Sequence, residues 1–132
     1  MILVRSGELY ALYNVKYIKI GGSQMIHHIE DKNIPEEVIK NSNKLVIVDF
    51  YADWCMPCQM LAPILKELDE KYENVEIFKV NIDEAEEYAL LNNITSVPTL
   101  IFYHEGKETE RIVGLESLEK LSNIVEYYGL KD

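Results

Sequence analysis

Long apolar runs are missing from this 132-residue sequence. A membrane-spanning helix needs about 18 to 20 consecutive apolar residues, and no stretch of the chain approaches that length. The N-terminal residues also lack the apolar core of a secretory signal peptide, because Glu8, Asn14, Lys16 and Lys19 interrupt it. We therefore expect neither a membrane protein nor a secreted one, and we predict a cytoplasmic location.

Positive charge is also scarce. The chain has 13 Lys and Arg residues against 23 Asp and Glu residues, which gives a net charge of −10. Such a chain offers no basic face to phosphates, which argues against a nucleic-acid partner and against anionic membranes. We interpret the acidic excess as a source of solubility, with selection of basic partners as the alternative. Residues 1–24 differ, since they hold three basic residues and one acidic residue, and this shift marks the one candidate domain boundary.

Cysteine occurs only twice, as Cys55 and Cys58. A bond between them would close about four residues and restrain the unfolded chain by only ~2 kcal/mol, so a structural staple is a poor explanation. A close pair in a cytosolic chain is typical of redox chemistry. Half of a zinc site and two inert core thiols are the alternatives, but a tetrahedral zinc site would need more ligands than the pair provides. His27, His28 and His104 are the other candidates; we interpret them as ordinary surface residues and predict no metal site.

The residues around the cysteines predict a junction between a strand and a helix. Residues 45–51 form a short apolar and aromatic run, which predicts a buried strand. Apolar residues then recur at helical spacing, at Leu61, Ile64, Leu65, Leu68 and Tyr72. Cys55 would lie at the helix N-terminus, where unpaired amide groups and the macrodipole favour an anion such as a thiolate. Cys58 follows about one turn later, where it could attack a mixed disulfide formed by Cys55.

This stretch resembles the active-site segment of the thioredoxin family. The likeness runs through Val48-Asp49-Phe50-Tyr51-Ala52-Asp53-Trp54-Cys55-Met56-Pro57-Cys58, Ala62-Pro63-Ile64-Leu65, Lys79-Val80-Asn81-Ile82-Asp83, Ser96-Val97-Pro98-Thr99-Leu100 and Val113-Gly114. It covers Met25 to the C-terminus in the order of the family. Two departures are Met56, where thioredoxins usually carry glycine, and Tyr51, where many carry tryptophan. Neither removes a catalytic group, but Met56 bears on the redox potential.

The resemblance implies an α/β fold, in which a central mixed β-sheet is flanked by helices on both faces. Its central strand would be residues 45–51. The patterns predict further strands at residues 25–29, 75–80, 99–103 and 109–113, and helices at residues 35–40, from near Pro57, at 84–91 and at 118–128. Ser117 is expected to cap the last helix and Gly129 to end it, whereas Pro63 should kink the long helix.

Residues 1–24 have no counterpart in the resemblance, so we divide the chain into an N-terminal extension, 1–24, and a thioredoxin domain, 25–132. Residues 8–13 and 15–20 are rich in Tyr, Ile and Val and could pair as a hairpin. A mis-assigned start is the alternative. The codons of Gly21-Gly22 could form a ribosome-binding sequence ahead of Met25.

The resemblance also assigns roles outside the cysteine pair. Asp49 is an acid within an apolar strand, and burial should disfavour its charged form. The family places this carboxylate beneath the resolving cysteine, so Asp49 would take the proton of Cys58, with Lys79 as its partner. Each has a structural alternative: Asp49 as a tolerated polar residue, and Lys79 as a lysine that reaches solvent.

A substrate groove is implied next to Cys55. The family has a cis proline at the position of Pro98, where the exposed backbone of Val97 would let a substrate chain pair alongside. The rim would comprise Trp54, Met56, Pro57, Val97, Pro98 and Gly114. Taken singly, each of these residues has packing as an equal explanation.

These features imply an enzyme that reduces disulfides in other proteins and serves cell redox homeostasis. Cys55 would attack the substrate disulfide and Cys58 would resolve it, and a thioredoxin reductase would restore the dithiol. We expect a monomer without a bound cofactor, because the chain has no Gly-rich nucleotide loop. An oxidant or isomerase of the protein-disulfide type, and a binding module with incidental cysteines, are the alternatives.

Overall fold

The computed structural model describes residues 2–5, 8–13, 16–20, 26–29, 39 and 42–129. Its strands are β1 (Ile2–Arg5), β2 (Glu8–Tyr13), β3 (Lys16–Ile20), β4 (Ile26–Ile29), β5 (Leu45–Tyr51), β6 (Val75–Asn81), β7 (Thr99–His104) and β8 (Lys107–Val113), and its helices are α1 (Met56–Lys71), α2 (Glu86–Leu91) and α3 (Leu118–Gly129). No helix among these residues is long and apolar enough to cross a membrane.

β5 lies at the centre of a five-stranded sheet of order β4-β6-β5-β7-β8. β4, β6 and β5 are parallel, whereas β7 and β8 run antiparallel to their neighbours. The register places Asp49 of β5 opposite Lys79 of β6 on one side and Leu100 of β7 on the other. This is the mixed sheet that the resemblance implies.

α1 and α3 cover one face of this sheet. α1 buries Leu61, Leu65 and Leu68, and α3 adds Leu121 and Val125. Their spacing of three, four and seven residues aligns them on one side of each helix. Burying one leucine contributes roughly 1.5–3 kcal/mol, so these side chains fix α1 firmly on the sheet.

α2 covers the opposite face. Val46, Val48 and Phe50 of β5 pack in the core on that side, where the Phe50 ring stacks on Tyr88 with 5.7 Å between centroids. Because both faces of β5 are covered, its sequence is an almost continuous apolar run. Successive side chains alternate between faces, so Asp49, two residues after Ile47, lies on the side of α1.

The element ends follow local chemistry. Ser117 caps α3 as predicted, since its Oγ accepts a hydrogen bond of 3.2 Å from the backbone N–H of Lys120. The hairpin between β7 and β8 turns at Glu105 and Gly106, both with positive φ, which is the backbone of a tight hairpin turn. α1 continues through Pro63 to Lys71. The kink at Pro63 stays a prediction.

The N-terminal residues form a second, three-stranded sheet of order β1-β2-β3. The predicted hairpin is confirmed, because β2 and β3 are antiparallel neighbours. β1, which pairs with β2, was not predicted. The helix predicted at residues 35–40 lies outside the described residues except for Ile39, which is helical and buried.

Candidate active site

Cys55 and Cys58 form a disulfide at the start of α1. Cys55 is the N-cap residue, and its Sγ accepts a hydrogen bond of 3.2 Å from the backbone N–H of Cys58. Both residues are buried, with 4% and 5% of their surface exposed. The predicted junction of strand and helix therefore delivers both sulfurs to one place, with a backbone donor aimed at Cys55.

This placement favours a thiolate at Cys55 once the disulfide is reduced. The first amide groups of a helix have no partner within the helix, and the N-terminal end of the macrodipole is positive. A sulfur in the N-cap position receives both effects. Pro57 lies in the first turn, where its missing N–H costs no hydrogen bond.

The loop before β7 lies against Cys55. The Val97–Pro98 peptide bond is cis, as the resemblance implies, and the Val97 carbonyl oxygen is 3.7 Å from the Cys55 Sγ. Gly114 donates its backbone N–H to the Pro98 carbonyl at 2.8 Å. Its φ of +99° explains the glycine, because a side chain is rarely tolerated in that conformation.

The surface around the cysteines is apolar and open. Trp54 and Met56 are 70% and 63% exposed, and Pro57 is exposed as well. Val97 is half-buried and packs against the cysteine pair. Exposure of two large apolar side chains beside a reactive pair is typical of an interaction surface.

Asp49 is almost completely buried, with 2% of its surface exposed. Its Oδ2 is 3.8 Å from the Lys79 Nζ, whose side chain is 13% exposed, and its Oδ1 has no hydrogen-bond partner among the described residues. Burial raises the pKa of Asp49 from 3.8 to about 6, although the Lys79 charge acts in the opposite direction. The carboxyl group therefore titrates close to neutral pH.

Tyr51 connects this ion pair to the cysteines. The Lys79 Nζ lies 4.9 Å from the centroid of the Tyr51 ring, and Tyr51 also packs against the cluster formed by Ala52, Cys55 and Cys58. Burial raises the pKa of the Tyr51 hydroxyl, and the neighbouring carboxylates raise it further. From the sequence, Tyr51 was noted only as a difference from the tryptophan that many thioredoxins have at this position.

A polar network beside Trp54 was not predicted from the sequence. The Trp54 indole donates to the Asp83 Oδ2 at 2.9 Å, and the Asp83 backbone N–H donates to the Asn81 Oδ1 at 2.9 Å. Asn81 in turn donates to the Asp53 Oδ2 at 3.3 Å. The sequence did contain an indication of these residues, since Asn81 and Asp83 belong to one of the segments that resemble the family. Their contact with residues 53 and 54 depends on the tertiary structure.

The interpretation of the histidines as surface residues is wrong for His27. It is buried, its ring stacks on Phe78 with 4.7 Å between centroids, and its Nε2 lies 3.9 Å from the Glu76 Oε1. Burial raises the pKa of Glu76 from 4.5 to about 7. His104 is half-buried beside Tyr128. Within the described part of the chain, no three His, Cys, Asp or Glu side chains are grouped as metal ligands.

Comparison with known proteins agrees with this geometry. The thioredoxin family model matches residues 25–127. Thioredoxin-2 of Saccharomyces cerevisiae is 38% identical over 90 residues, 68% of this chain and 86% of the yeast protein. Thioredoxin of Chlamydia pneumoniae is 47% identical over 81 residues, 61% of this chain and 79% of that protein.

Solved structures give the same result. A mutant thioredoxin of Halobacterium salinarum is 30% identical with a TM-score of 0.73, and the match covers 83% of this chain and 94% of that one. Thioredoxin of Schistosoma mansoni is 35% identical with a TM-score of 0.71, covering 82% and 99%. With its redox-active cysteine pair, the chain is a thiol–disulfide oxidoreductase that acts on disulfide-containing proteins, and it belongs to the thioredoxin family.

Proposed function

We propose that the protein works as a reductant, with Cys55 as the nucleophile and Cys58 as the resolving thiol. The observation that carries this assignment is the hydrogen bond from the Cys58 backbone N–H to the Cys55 Sγ. It stabilises negative charge on Cys55, at the sulfur next to the open apolar surface. A thiolate is the form that attacks a disulfide.

The reaction has two steps. The Cys55 thiolate attacks one sulfur of the substrate disulfide, which breaks that bond and releases the other substrate sulfur as a thiolate. Cys58 then gives up its proton and attacks the Cys55 Sγ, which breaks the mixed disulfide and releases the second substrate thiolate. The substrate gains two electrons, and the Cys55–Cys58 disulfide remains.

Asp49 is the proton acceptor for Cys58 in this proposal, and Lys79 is its partner. Asp49 lies on the face of the sheet that α1 covers, and Cys58 is one of the buried residues of α1. A pKa of about 6 leaves the carboxylate mostly ionised at neutral pH yet basic enough to accept a proton. Lys79 keeps the ionised form accessible despite burial.

Substrate binding belongs to the rim around Cys55. A substrate chain lies along the Val97 backbone, whose carbonyl oxygen is 3.7 Å from the Cys55 Sγ and therefore close to the reacting atom. The rim consists of Trp54, Met56, Pro57, Val97, Pro98 and Gly114; the first four supply accessible apolar side chains, whereas Pro98 is buried and Gly114 has no side chain. Trp54 is held in place by Asp83, which orients its ring without covering it.

The oxidised pair is reduced again by a thioredoxin reductase, and the protein acts as a cytoplasmic monomer. Membership of the thioredoxin family supports the first part of this proposal. Each turnover leaves a Cys55–Cys58 disulfide, which must gain two electrons and two protons before the next substrate can be attacked. An external electron donor is therefore part of the cycle.

Trapping of intermediates tests the two cysteine roles. Cys58→Ser should accumulate mixed disulfides with substrate proteins through Cys55, because attack survives while resolution is lost. Mass spectrometry of the trapped adducts identifies the bonded cysteine. Cys55→Ser is the matched control and should trap nothing. Equal trapping by the two variants, or faster alkylation of Cys58 than of Cys55 at neutral pH, would contradict the assignment.

A further inference from the structure

We propose that Tyr51 is a positioning residue, whose ring face holds the Lys79 ammonium against the Asp49 carboxylate and so maintains the proton acceptor of the reaction. The proposal rests on the function proposed for Asp49. Tyr51 packs against the cysteine cluster, but in this scheme it exchanges no proton or electron with the substrate or the sulfur atoms. It acts through Lys79.

The geometry around Lys79 motivates this inference. Its Nζ lies 3.8 Å from the Asp49 Oδ2 and 4.9 Å from the Tyr51 ring centroid. The first distance exceeds that of a hydrogen bond, so charge rather than a directed bond holds the pair. A lysine side chain is long and flexible, and at this position it could turn outward to water. The aromatic face supplies a second attraction that opposes this movement.

The groups around the Asp49–Lys79 ion pair show how Lys79 affects the protonation of Asp49. Asp49 faces Lys79 from β6 and the uncharged Leu100 from β7, and α1 contributes Cys58 on the covered face of the sheet. Lys79 is the cation that lowers the pKa of Asp49 against the effect of burial. If the ammonium moves away, the pKa of Asp49 rises and less carboxylate is available at neutral pH.

The Tyr51 ring is itself held in place. Its hydroxyl hydrogen-bonds with the Asn81 side chain, and the negative charges of Asp53 and Glu84 raise its pKa, which favours the neutral phenol. The ring packs against the cysteine cluster on its apolar side. Its face therefore stays directed at Lys79, whereas an aliphatic side chain of similar size would fill the space without attracting the cation.

A titration of Asp49 tests the proposal. The Asp49 carboxyl carbon is followed by NMR in the full-length oxidised protein, for wild type, Tyr51→Phe, Tyr51→Leu, Lys79→Met and the double variant. Tyr51→Phe keeps the ring and should leave the titration midpoint unchanged. Tyr51→Leu should lower the acid dissociation constant of Asp49 about two- to fivefold, the fold-change expected for loss of a cation–π contact. In the Lys79→Met background, Tyr51→Leu should add nothing.

A second series of variants separates the effect of side-chain size at residue 51 from the effect of the charge distribution of its ring. Replacing residue 51 by phenylalanine with increasing numbers of fluorine atoms weakens the negative ring face while preserving its shape. The midpoint of Asp49 should rise stepwise along this series, and the series remains informative if Tyr51→Leu fails to fold. The proposal would be overturned if the Asp49 midpoint did not change with fluorination. It would also be overturned if Tyr51→Leu shifted the midpoint equally with and without Lys79.

The outcome is distinguishable from failure of the proposed function. The titration reports on the ion pair whether or not Asp49 takes the proton of Cys58. If Asp49→Asn leaves the resolution step unchanged while the fluorination series still moves the midpoint, the role of Asp49 in the reaction is wrong and the contact between Tyr51 and Lys79 stands. If Asp49→Asn slows the resolution step but fluorination leaves the titration midpoint unchanged, the role of Asp49 stands and the proposal for Tyr51 is wrong.

Discussion

At the scale of single residues, Asp49 combines a proposed role in the reaction with a cost to stability. A carboxyl group with 2% exposure pays for burial whenever it is ionised, and a lysine 3.8 Å away offsets only part of that cost. A folded-state pKa of about 6 is the measure of the remaining cost. A buried carboxyl group with a strongly raised pKa is therefore a candidate for a functional role rather than a stabilising one.

Replacement of Asp49 by asparagine should therefore raise stability and slow the resolution step. Between pH 4 and pH 6 the folded state holds a proton that the unfolded chain has released, so wild-type stability falls as the pH rises through this window. Above pH 6 the full cost of burying the ionised carboxylate is present. Asp49→Asn removes this cost and should raise the free energy of unfolding by on the order of 2–3 kcal/mol at pH 7. Denaturant unfolding at pH 4 and pH 7 measures the difference.

The matched control for Asp49→Asn is Glu67→Gln, which removes an exposed carboxylate from α1. It should change neither the pH dependence nor the rate of resolution, which stopped-flow measurement of mixed-disulfide decay follows directly. A less stable Asp49→Asn protein at pH 7 with unchanged turnover would assign Asp49 a structural role.

At the scale of elements, α1 combines packing and reactivity in one helix. Its buried leucines hold it on the sheet, and its first turn provides the Cys58 backbone N–H that donates to the Cys55 Sγ. Met56 is exposed in that turn, where it adds apolar surface without adding charge. The electrostatic stabilisation of the Cys55 thiolate depends on the helix N-terminus and is therefore independent of the methionine side chain.

We expect the reduction potential to lie within about 30 mV of the thioredoxin value of about −270 mV, a range equivalent to ~1.4 kcal/mol for a two-electron couple. Met56→Gly should stay within the same range, since no charge changes. Equilibration with glutathione or with a reference thioredoxin measures both proteins. A potential above about −200 mV for the wild type would place the protein among the oxidants and isomerases.

At the scale of the whole molecule, the chain contains two separate sheets. The five-stranded sheet begins with β4 at Ile26, and the family match begins at residue 25, so every strand that positions the active site lies after the first 24 residues. The strands β1, β2 and β3 pair with one another in a separate three-stranded sheet. A domain boundary near Met25 stays a prediction.

Removal of residues 1–24 tests this boundary. The shortened chain, starting at Met25, should fold, stay in solution and reduce insulin disulfides at a rate close to that of the full chain, because it retains all of the residues around Cys55. Circular dichroism and an insulin reduction assay check both points. Loss of folding would mean that the N-terminal strands stabilise the domain, and the Cys55→Ser variant supplies the background rate.

The sequence alone determined the order of the main elements and the reactive pair. Apolar runs, turn residues and helical periodicity depend on neighbours along the chain, so the strand before Cys55, the helix after it and the cap at Ser117 could be predicted locally. The resemblance supplied the cis bond before Pro98 and the pairing of Asp49 with Lys79, both of which the structure contains. β1 was missed because a short apolar segment gives no periodic signal.

Only the tertiary structure decided which polar residues surround that pair. His27 was expected at the surface, yet β4 pairs with β6 and carries its ring onto Phe78, a contact between residues 51 positions apart. Tyr51 meets Lys79, and Trp54 meets Asp83, because neighbouring parallel strands end at the same edge of the sheet. Such contacts depend on strand register and on burial, and both are set by the packing of the whole sheet rather than by any local stretch of sequence.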